Sequence, residues 1–148
     1  MLKGIPALLS ADVLYILGAM GHGDEVAIVD RNFPAASMSR RLARLDGTDV
    51  CTAGRAILGL LPLDTFVAEP VTRMEVVGAP ERVPEVQDEF RKLAEEAEGR
   101  ALAVASLERT AFYDRARAAF AVIATSEARP YGCFLLTKGV INEDGEGI

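Results

Sequence analysis

One short segment of the sequence carries the residue best suited to move protons. The tetrapeptide Gly21-His22-Gly23-Asp24 contains the only histidine among the 148 residues. Glycine on both sides lets the backbone turn tightly and leaves the imidazole accessible. Imidazole exchanges protons near neutral pH, so one histidine can serve as both general acid and general base. We therefore take His22 as a candidate catalytic residue. The alternative is a loop after a helix that carries a histidine without a functional role.

Two charged residues are candidates for binding a polar ligand. Asp30 ends the apolar run 25–30, and ligands of α/β sheets bind beyond the carboxyl ends of strands. Asp30 can equally close that strand as an Asx turn residue. Arg109 lies near the start of a predicted helix, where a cation is unfavourable against the helix dipole unless it has a partner or a ligand. A solvated surface arginine beside Glu108 is the other interpretation.

A third candidate is the loop Tyr131-Gly132-Cys133. It follows Pro130, so we expect a rigid loop whose backbone amides point outward. The sequence contains no P-loop, no GxSxG and no HExxH motif. One histidine and two scattered cysteines also argue against a zinc site. No candidate is specific by itself.

The elements that must position these residues alternate between helices and strands. Apolar spacing predicts helices that contain residues 13–20, 53–61, 83–97 and 112–120. Ser10 is the expected N-cap of the first helix. Runs rich in apolar residues predict strands at 25–30, 71–77, 101–105, 121–125 and 134–137, whereas 40–46 is ambiguous. The pattern predicts a single α/β domain over residues 1–142, followed by a flexible tail at 143–148.

Composition excludes several classes of protein. The charge of −6 and a pI near 4.8 argue against binding to nucleic acid or to an anionic membrane surface. We expect no signal peptide and no membrane helix, and hence a cytoplasmic protein in which Cys51 and Cys133 are reduced thiols. Half the residues are hydrophobic and the mean hydropathy is +0.19, which suggests apolar surface buried between subunits.

Three stretches together resemble one protein family. They are MLKGIPALLSADVLYILGAMGHGDEVAIVDRNFPAAS at the amino terminus and, in the second half, ERTAFYDRARAAFAVIATSE and RPYGCFLLTKGV. The chain is similar to the ribose pyranase and fucose mutarotase family over residues 1–140. The run GHGDEVAIVDRNFP is much more specific than any lone catalytic motif. The resemblance implies a mixed sheet flanked by helices, as in the ribose pyranase fold.

The resemblance also implies a role for each candidate residue. It makes His22 the catalytic residue and gives sugar binding to Asp30, Arg109, Tyr131, Gly132 and Cys133. Arg109 in its ERxxFY context is similar to the fucose mutarotase branch, whereas the ribose pyranase branch typically has histidine there. Cys133 departs from the family, which usually has asparagine at this position. A thiol cannot make the two directed hydrogen bonds of an amide, so we expect an effect on sugar preference or affinity.

The function that the resemblance implies is the interconversion of the α and β anomers of L-fucose, or of a related monosaccharide such as ribose or galactose. The ring opens and recloses by proton transfer, without a cofactor or a metal ion. The alternatives are a D-ribose pyranase and a non-catalytic sugar-binding or regulatory module. The resemblance further implies a homo-oligomer, a decamer of pentameric rings, with each site at or near a subunit boundary.

Overall fold

The chain folds around a central mixed sheet. A computed structural model describes residues 2–148, which form a single domain of four helices and six strands. The helices are α1 (Ala11–Ala19), α2 (Val50–Leu58), α3 (Glu85–Glu98) and α4 (Arg109–Ala118). The strands are β1 (Glu25–Val29), β2 (Leu42–Leu45), β3 (Val71–Met74), β4 (Val104–Leu107), β5 (Ala121–Thr125) and β6 (Phe134–Thr137). This architecture confirms the predicted fold class.

Strand direction decides which loops meet. The strand order is β2-β5-β1-β6-β3-β4. β5 runs parallel to β1 and to β2, and β3 runs parallel to β4. β6 is antiparallel to both of its neighbours, β1 and β3. Within residues 2–148, β6 therefore runs opposite to the other five strands. Its amino end lies where the other strands have their carboxyl ends, which we call the carboxyl end of the sheet; the other is the amino end.

The two faces of the sheet are covered by different helices. On one face Val26 and Ile28 of β1 belong to a core cluster with residues of α1, α2 and α3. On the other face Ala27 and Val29 belong to a cluster with residues of α4. Alternate residues of a strand point to opposite faces, so a strand buried on both sides is apolar throughout. The apolar run after Glu25 has this pattern.

The packing of α3 on the sheet depends on a glycine in α2. Phe90 of α3 stacks on Phe134 of β6, with ring centroids 3.9 Å apart. A Cβ atom at Gly54 would lie 2.4 Å from Cε2 of Phe90. Because Gly54 has no side chain, α2 can approach the Phe90 ring closely. Phe90 is thus packed between α2 and Phe134 of the sheet, and this holds α3 against the sheet.

The ends of several elements differ from the prediction. The Ser10 side chain accepts a hydrogen bond from the Val13 amide, which confirms the first N-cap. Helix α2 begins three residues before Ala53, because Asp49 caps it by accepting from the Thr52 amide. The strand expected at 101–105 lies at 104–107, where its residues pair with β3. The ambiguous segment 40–46 contains β2, an edge strand of the sheet.

The last residues, which the sequence predicts to be flexible, make hydrogen bonds of their own. The side-chain oxygen of Asn142 accepts from the amides of Asp144 and Glu146. The Ile148 amide donates to the Val140 carbonyl, and the Thr65 hydroxyl donates to the Ile148 carbonyl. Residues 141–148 thus turn back along the domain.

Candidate active site

Four of the predicted site residues come together at the carboxyl end of the sheet. Asp30 follows β1, Arg109 begins α4 just after β4, and the loop 131–133 precedes β6. Because β6 is antiparallel, its amino end lies beside the carboxyl ends of β1 and β3. This topology explains how residues a hundred positions apart meet.

They surround a small cavity of about 180 Å³, which we call the polar pocket. It is lined by Asp30, Asn32, Phe33, Met74, Arg109, Tyr113, Pro130, Tyr131 and Cys133. Carboxylate, guanidinium and phenol groups offer both donors and acceptors, while aromatic and aliphatic groups form its walls. Such a lining suits a small, polyhydroxylated ligand.

Asp30 is a buried residue of the polar pocket. Its Oδ1 atom accepts hydrogen bonds from the amides of Asn32 and Phe33, at 3.0 and 3.1 Å. The Asx turn interpretation is therefore correct, and it is compatible with ligand binding. The turn uses Oδ1 and fixes the side chain, while the residue still lines the polar pocket.

Tyr131 has an unusual backbone. Its φ angle is 64°, and it is the only residue besides glycines with a positive φ in the described chain, residues 2–148. A bulky residue in the left-handed backbone region is strained, and such strain persists only where the surrounding structure enforces it. Its phenol oxygen accepts from the Val77 amide at 3.2 Å, and its carbonyl accepts from the side-chain amide of Gln87 at 3.0 Å.

Gly132 does not line the polar pocket, but its lack of a side chain lets the loop 131–133 pack closely on Glu127. A Cβ atom there would lie 2.9 Å from Cγ of Glu127. The Glu127 carboxylate is almost fully buried and accepts from the Arg129 guanidinium and from the Val50 amide. Burial raises its pKa, but hydrogen bonds from Arg129 and Val50, with the Arg129 charge, outweigh burial and lower it. Glycine thus allows the loop to lie directly on an ion pair.

Cys133 presents a neutral thiol. Only 1% of the residue is exposed, and burial raises the pKa of the thiol well above its ordinary value, with a further contribution from the Asp30 charge. Thiolate is the nucleophilic form, so the structure gives Cys133 no nucleophilic role. It acts as a small, weakly polar wall of the polar pocket.

Tyr113 is a pocket residue that sequence reasoning did not select. It lies one turn after Arg109 in α4 and packs edge-on against Phe33, with ring centroids 5.1 Å apart. Burial raises the pKa of its phenol, so the hydroxyl stays protonated near neutral pH. Its spacing of four residues from Arg109 on one helix was the available signal.

Arg109 is free to bind a ligand. It is the first residue of α4, and Glu108 caps that helix by accepting from the amides of Thr110 and Ala111. Among residues 2–148 Arg109 has no ion-pair partner within 4 Å. A cation at a helix amino terminus without a carboxylate partner is unfavourable in the absence of an anionic or polar ligand.

His22 lies at the amino end of the sheet, away from the polar pocket. It precedes β1, whereas Asp30 follows it, and the five residues of β1 span roughly 16 Å. The structure therefore does not bring His22 and the other predicted residues into one site within a single chain. Asp30 is thus too far from His22 of the same chain to orient its imidazole.

The partner of His22 is instead Asp64, which sequence reasoning missed. Nε2 of His22 lies 3.1 Å from Oδ1 of Asp64. The imidazole is 46% exposed, while the carboxylate is 3% exposed and also accepts from the Phe66 amide. A carboxylate bound to one ring nitrogen fixes the tautomer and leaves the other nitrogen for a ligand. A lone acidic residue after the apolar run Leu60-Leu61-Pro62-Leu63 was the only signal.

Apolar surface surrounds the exposed imidazole. A groove of about 540 Å³ runs beside it, which we call the His22 groove. It is lined by Leu14, Leu17, Gly18, Met20, Gly21, His22, Leu60, Pro62, Lys138, Gly139, Val140 and Ile141. Phe66, whose ring centroid is 5.2 Å from that of His22, is 71% exposed. Exposed apolar surface of this kind is typical of an interface between proteins.

Residues 2–148 contain neither a metal-ligand cluster nor a membrane-spanning helix. Within residues 2–148 no three His, Cys, Asp or Glu side chains are arranged to hold a metal ion. Across the same residues, no helix is both long and apolar enough to cross a membrane.

Comparison with known proteins identifies the family. Residues 3–141 match the RbsD / FucU transport protein family. The chain belongs to this family. The human fucose mutarotase is 44% identical over 147 residues, which cover 95% of this chain and 94% of that protein. This confirms the resemblance inferred from the three sequence stretches.

Solved structures of the family share the fold. The fucose mutarotase of Streptococcus pneumoniae, solved in complex with L-fucose, has a TM-score of 0.89 and 36% identity. The match covers 95% of this chain and all of that one. Bacillus subtilis RbsD, solved with D-ribose, has a TM-score of 0.72 at 21% identity, over 96% of this chain and all of RbsD. At 21% identity, the comparison with RbsD supports a shared fold and nothing further.

Proposed function

We propose that this family member is an L-fucose mutarotase, which interconverts the α and β anomers by opening and reclosing the sugar ring. The similarity to fucose mutarotases over nearly the whole chain supports this substrate. The D-ribose pyranase alternative has weaker support, since the ribose-bound relative is only 21% identical. The observation that carries a catalytic rather than a merely binding function is the half-exposed His22 imidazole held by the buried Asp64 carboxylate.

The proposed chemistry needs one group that both takes and returns a proton. Ring opening removes the proton of the anomeric hydroxyl and protonates the ring oxygen; closure on the other face of the aldehyde reverses both transfers. With Nε2–H donated to Asp64, the Nδ1 atom of neutral His22 is a base, and after protonation it is an acid. A non-catalytic sugar-binding module would need no such group.

The polar pocket would hold the sugar while His22 acts on it. Asp30 accepts hydrogen bonds from hydroxyls, Arg109 and Tyr131 donate to sugar oxygens, and Cys133 limits the space. Gly132, which has no side chain, lets the loop that carries Tyr131 and Cys133 lie close to Glu127. Charge-assisted hydrogen bonds that Asp30 accepts and Arg109 donates are stronger than neutral ones, so these two residues fix the orientation of the ring.

Because His22 and the polar pocket lie at opposite ends of β1, we propose that each site forms at a boundary between two copies of the chain. One protomer supplies His22 and Asp64, and its neighbour supplies the polar pocket. The apolar His22 groove and the exposed Phe66 support this proposal, since they would be buried by the neighbour. Such head-to-tail contacts generate closed rings when the rotation between neighbouring copies closes. We propose the decamer of pentameric rings as the assembly.

We also propose a cytoplasmic location. Cys51 and Cys133 are both buried free thiols, which is typical of proteins in a reducing compartment.

Magnetisation-exchange NMR on equilibrated sugars tests the function. With the protein present, exchange between the anomers of L-fucose should accelerate, while pyranose–furanose exchange of ribose should change little. In His22→Gln the acceleration should fall by at least 10²-fold, in the range of positioned proton transfer. Fucose binding should remain, because the polar pocket is intact. Full exchange activity in His22→Gln would exclude the proposed mechanism, and stronger exchange on ribose or galactose would change the substrate.

A further inference from the structure

Gln87 is a buried amide to which the proposed reaction assigns no task. It lies in the first part of α3 and is only 3% exposed. Its Nε2 atom donates to the carbonyls of Met74 and Tyr131, at 2.6 and 3.0 Å. Its Oε1 atom accepts from the Arg73 guanidinium at 3.2 Å. The amide therefore uses both hydrogens and its oxygen, and ties together two separate segments of backbone.

Both carbonyls that Gln87 binds belong to residues of the polar pocket. Met74 ends β3, and Tyr131 precedes β6. The Tyr131 backbone is the strained one, with a φ of 64°. A strained residue needs fixed contacts around it, since it otherwise relaxes to a more ordinary conformation. The hydrogen bond from Gln87 reaches the carbonyl of Tyr131, the residue whose φ angle is strained.

The phenol group of Tyr131 is also fixed by a hydrogen bond. The Val77 amide donates to the phenol oxygen and occupies one of its acceptor positions. The hydroxyl proton must then point elsewhere, and it is available to donate to a sugar oxygen. Arg73, which binds Gln87, also donates to the Pro80 carbonyl of the same loop as Val77. Gln87 thus fixes Tyr131 directly and, through Arg73, is linked to the loop that orients the phenol.

We propose that Gln87 is a positioning residue of the polar pocket, which holds Tyr131 in its left-handed backbone conformation and so presents its hydroxyl to the sugar. This inference rests on the proposed function for its ligand. It concerns substrate binding and not proton transfer, since Gln87 has no contact with His22.

The kinetic test uses Gln87→Met, which has similar length and no donor. The Met74 and Tyr131 carbonyls then lose this donor, and we expect the KM for L-fucose to rise about tenfold while kcat changes less than twofold. Gln87→Glu, which keeps the shape but places an acceptor against the carbonyls, should have the same effect. Leu93→Ala is the matched control, because Leu93 is buried on the same helix but packs in the core. It should lower stability and leave KM unchanged.

Two further measurements separate positioning from general damage. In a Tyr131→Gly background the residue at 131 adopts a positive φ without strain, so adding Gln87→Met should change fucose affinity less than twofold. Hydrogen exchange of the peptide 128–133 should be faster in Gln87→Met than in the parent or in Leu93→Ala, with no sugar present. Unchanged exchange of that peptide, or an equal loss of affinity with and without Tyr131, overturns the role of Gln87. If the parent protein binds no fucose, the proposed function fails. The hydrogen-exchange measurement on the peptide 128–133 still decides whether Gln87 holds the loop.

Discussion

A site shared between neighbouring subunits predicts that two inactive variants restore each other's activity. His22→Gln removes the proton-transferring group from one side of each site. Asp30→Asn removes the carboxylate charge of the polar pocket on the other side, while the Asn oxygen can still accept from the Asn32 and Phe33 amides. Each variant alone should be inactive or nearly so. Co-expressed with two different tags and purified through both, they form mixed assemblies.

The size of the recovery follows from the geometry. In an assembly with equal numbers of the two variants, half of the protomers supply an intact His22 and half supply an intact polar pocket. If neighbours associate at random, about one quarter of the boundaries combine the two intact halves. The mixed assembly should therefore exchange the anomers of L-fucose at about 25% of the parent rate per protomer, measured by magnetisation-exchange NMR. Mixing the separately assembled variants should restore less.

The matched control is a pair of variants in the same half of the site. Asp30→Asn and Arg109→Ala both damage the polar pocket, which comes whole from one protomer. No boundary in their mixed assemblies is intact, so their activity should not exceed that of the more active variant alone. If His22→Gln and Asp30→Asn also fail to recover while light scattering shows mixed assemblies of the parent's size, the shared site is refuted.

Three other predictions concern the loop and the thiols. Cys133→Asn should keep or improve fucose affinity in calorimetric titrations, because an amide adds hydrogen bonds worth about 1 kcal/mol each; a large loss would show that the polar pocket is built around the smaller thiol. Gly132→Ala should lower the free energy of unfolding in urea by about 1–3 kcal/mol, because its Cβ would crowd Glu127; an unchanged midpoint would contradict the close contact. Burial raises the pKa of Cys51 to about 12 and that of Cys133 well above its usual value, so both folded thiols keep protons that the unfolded chain releases above about pH 9. The free energy of unfolding should therefore fall above that pH, by at most ~1.4 kcal/mol per pH unit for each thiol. If this fall with pH is as steep in Cys51→Ala as in the parent, the raised pKa of Cys51 is contradicted.

The half of the site at the carboxyl end of the sheet could be predicted from the sequence because its residues mark the ends of strands. Asp30 closes an apolar run, Arg109 opens a helix after a strand, and residues 131–133 precede the last strand. Asp30 was a candidate because ligands bind beyond strand ends, Arg109 because it is a cation at a helix start, and residues 131–133 because they follow a proline. Their sugar-binding roles came from the family resemblance. The structure then supplied the antiparallel direction of β6, which no local pattern encodes.

The rest could not be predicted because it depends on contacts outside regular elements. Asp64 lies between α2 and β3, where no helical or strand period tells which way a side chain points. Gln87 looks like an ordinary polar residue on an amphipathic helix, and only its two carbonyl partners give it a role. The helical stripe from Ala53 missed the true start of α2, since the Asp49 cap lies before the first apolar repeat.

The position of β1 between the two half-sites separates two tasks that many enzymes combine in one pocket. In the proposed assembly, recognition depends on residues after β1, and proton transfer depends on residues before it. Substitutions at Arg109, Tyr113 or Cys133 can therefore retune which sugar is accepted without disturbing the His22–Asp64 pair of the same protomer. An insertion within β1 is different, since β5 and β6 pair with it on both sides and fix its length. A designer seeking a new monosaccharide specificity would vary residues of the polar pocket and leave β1 unchanged.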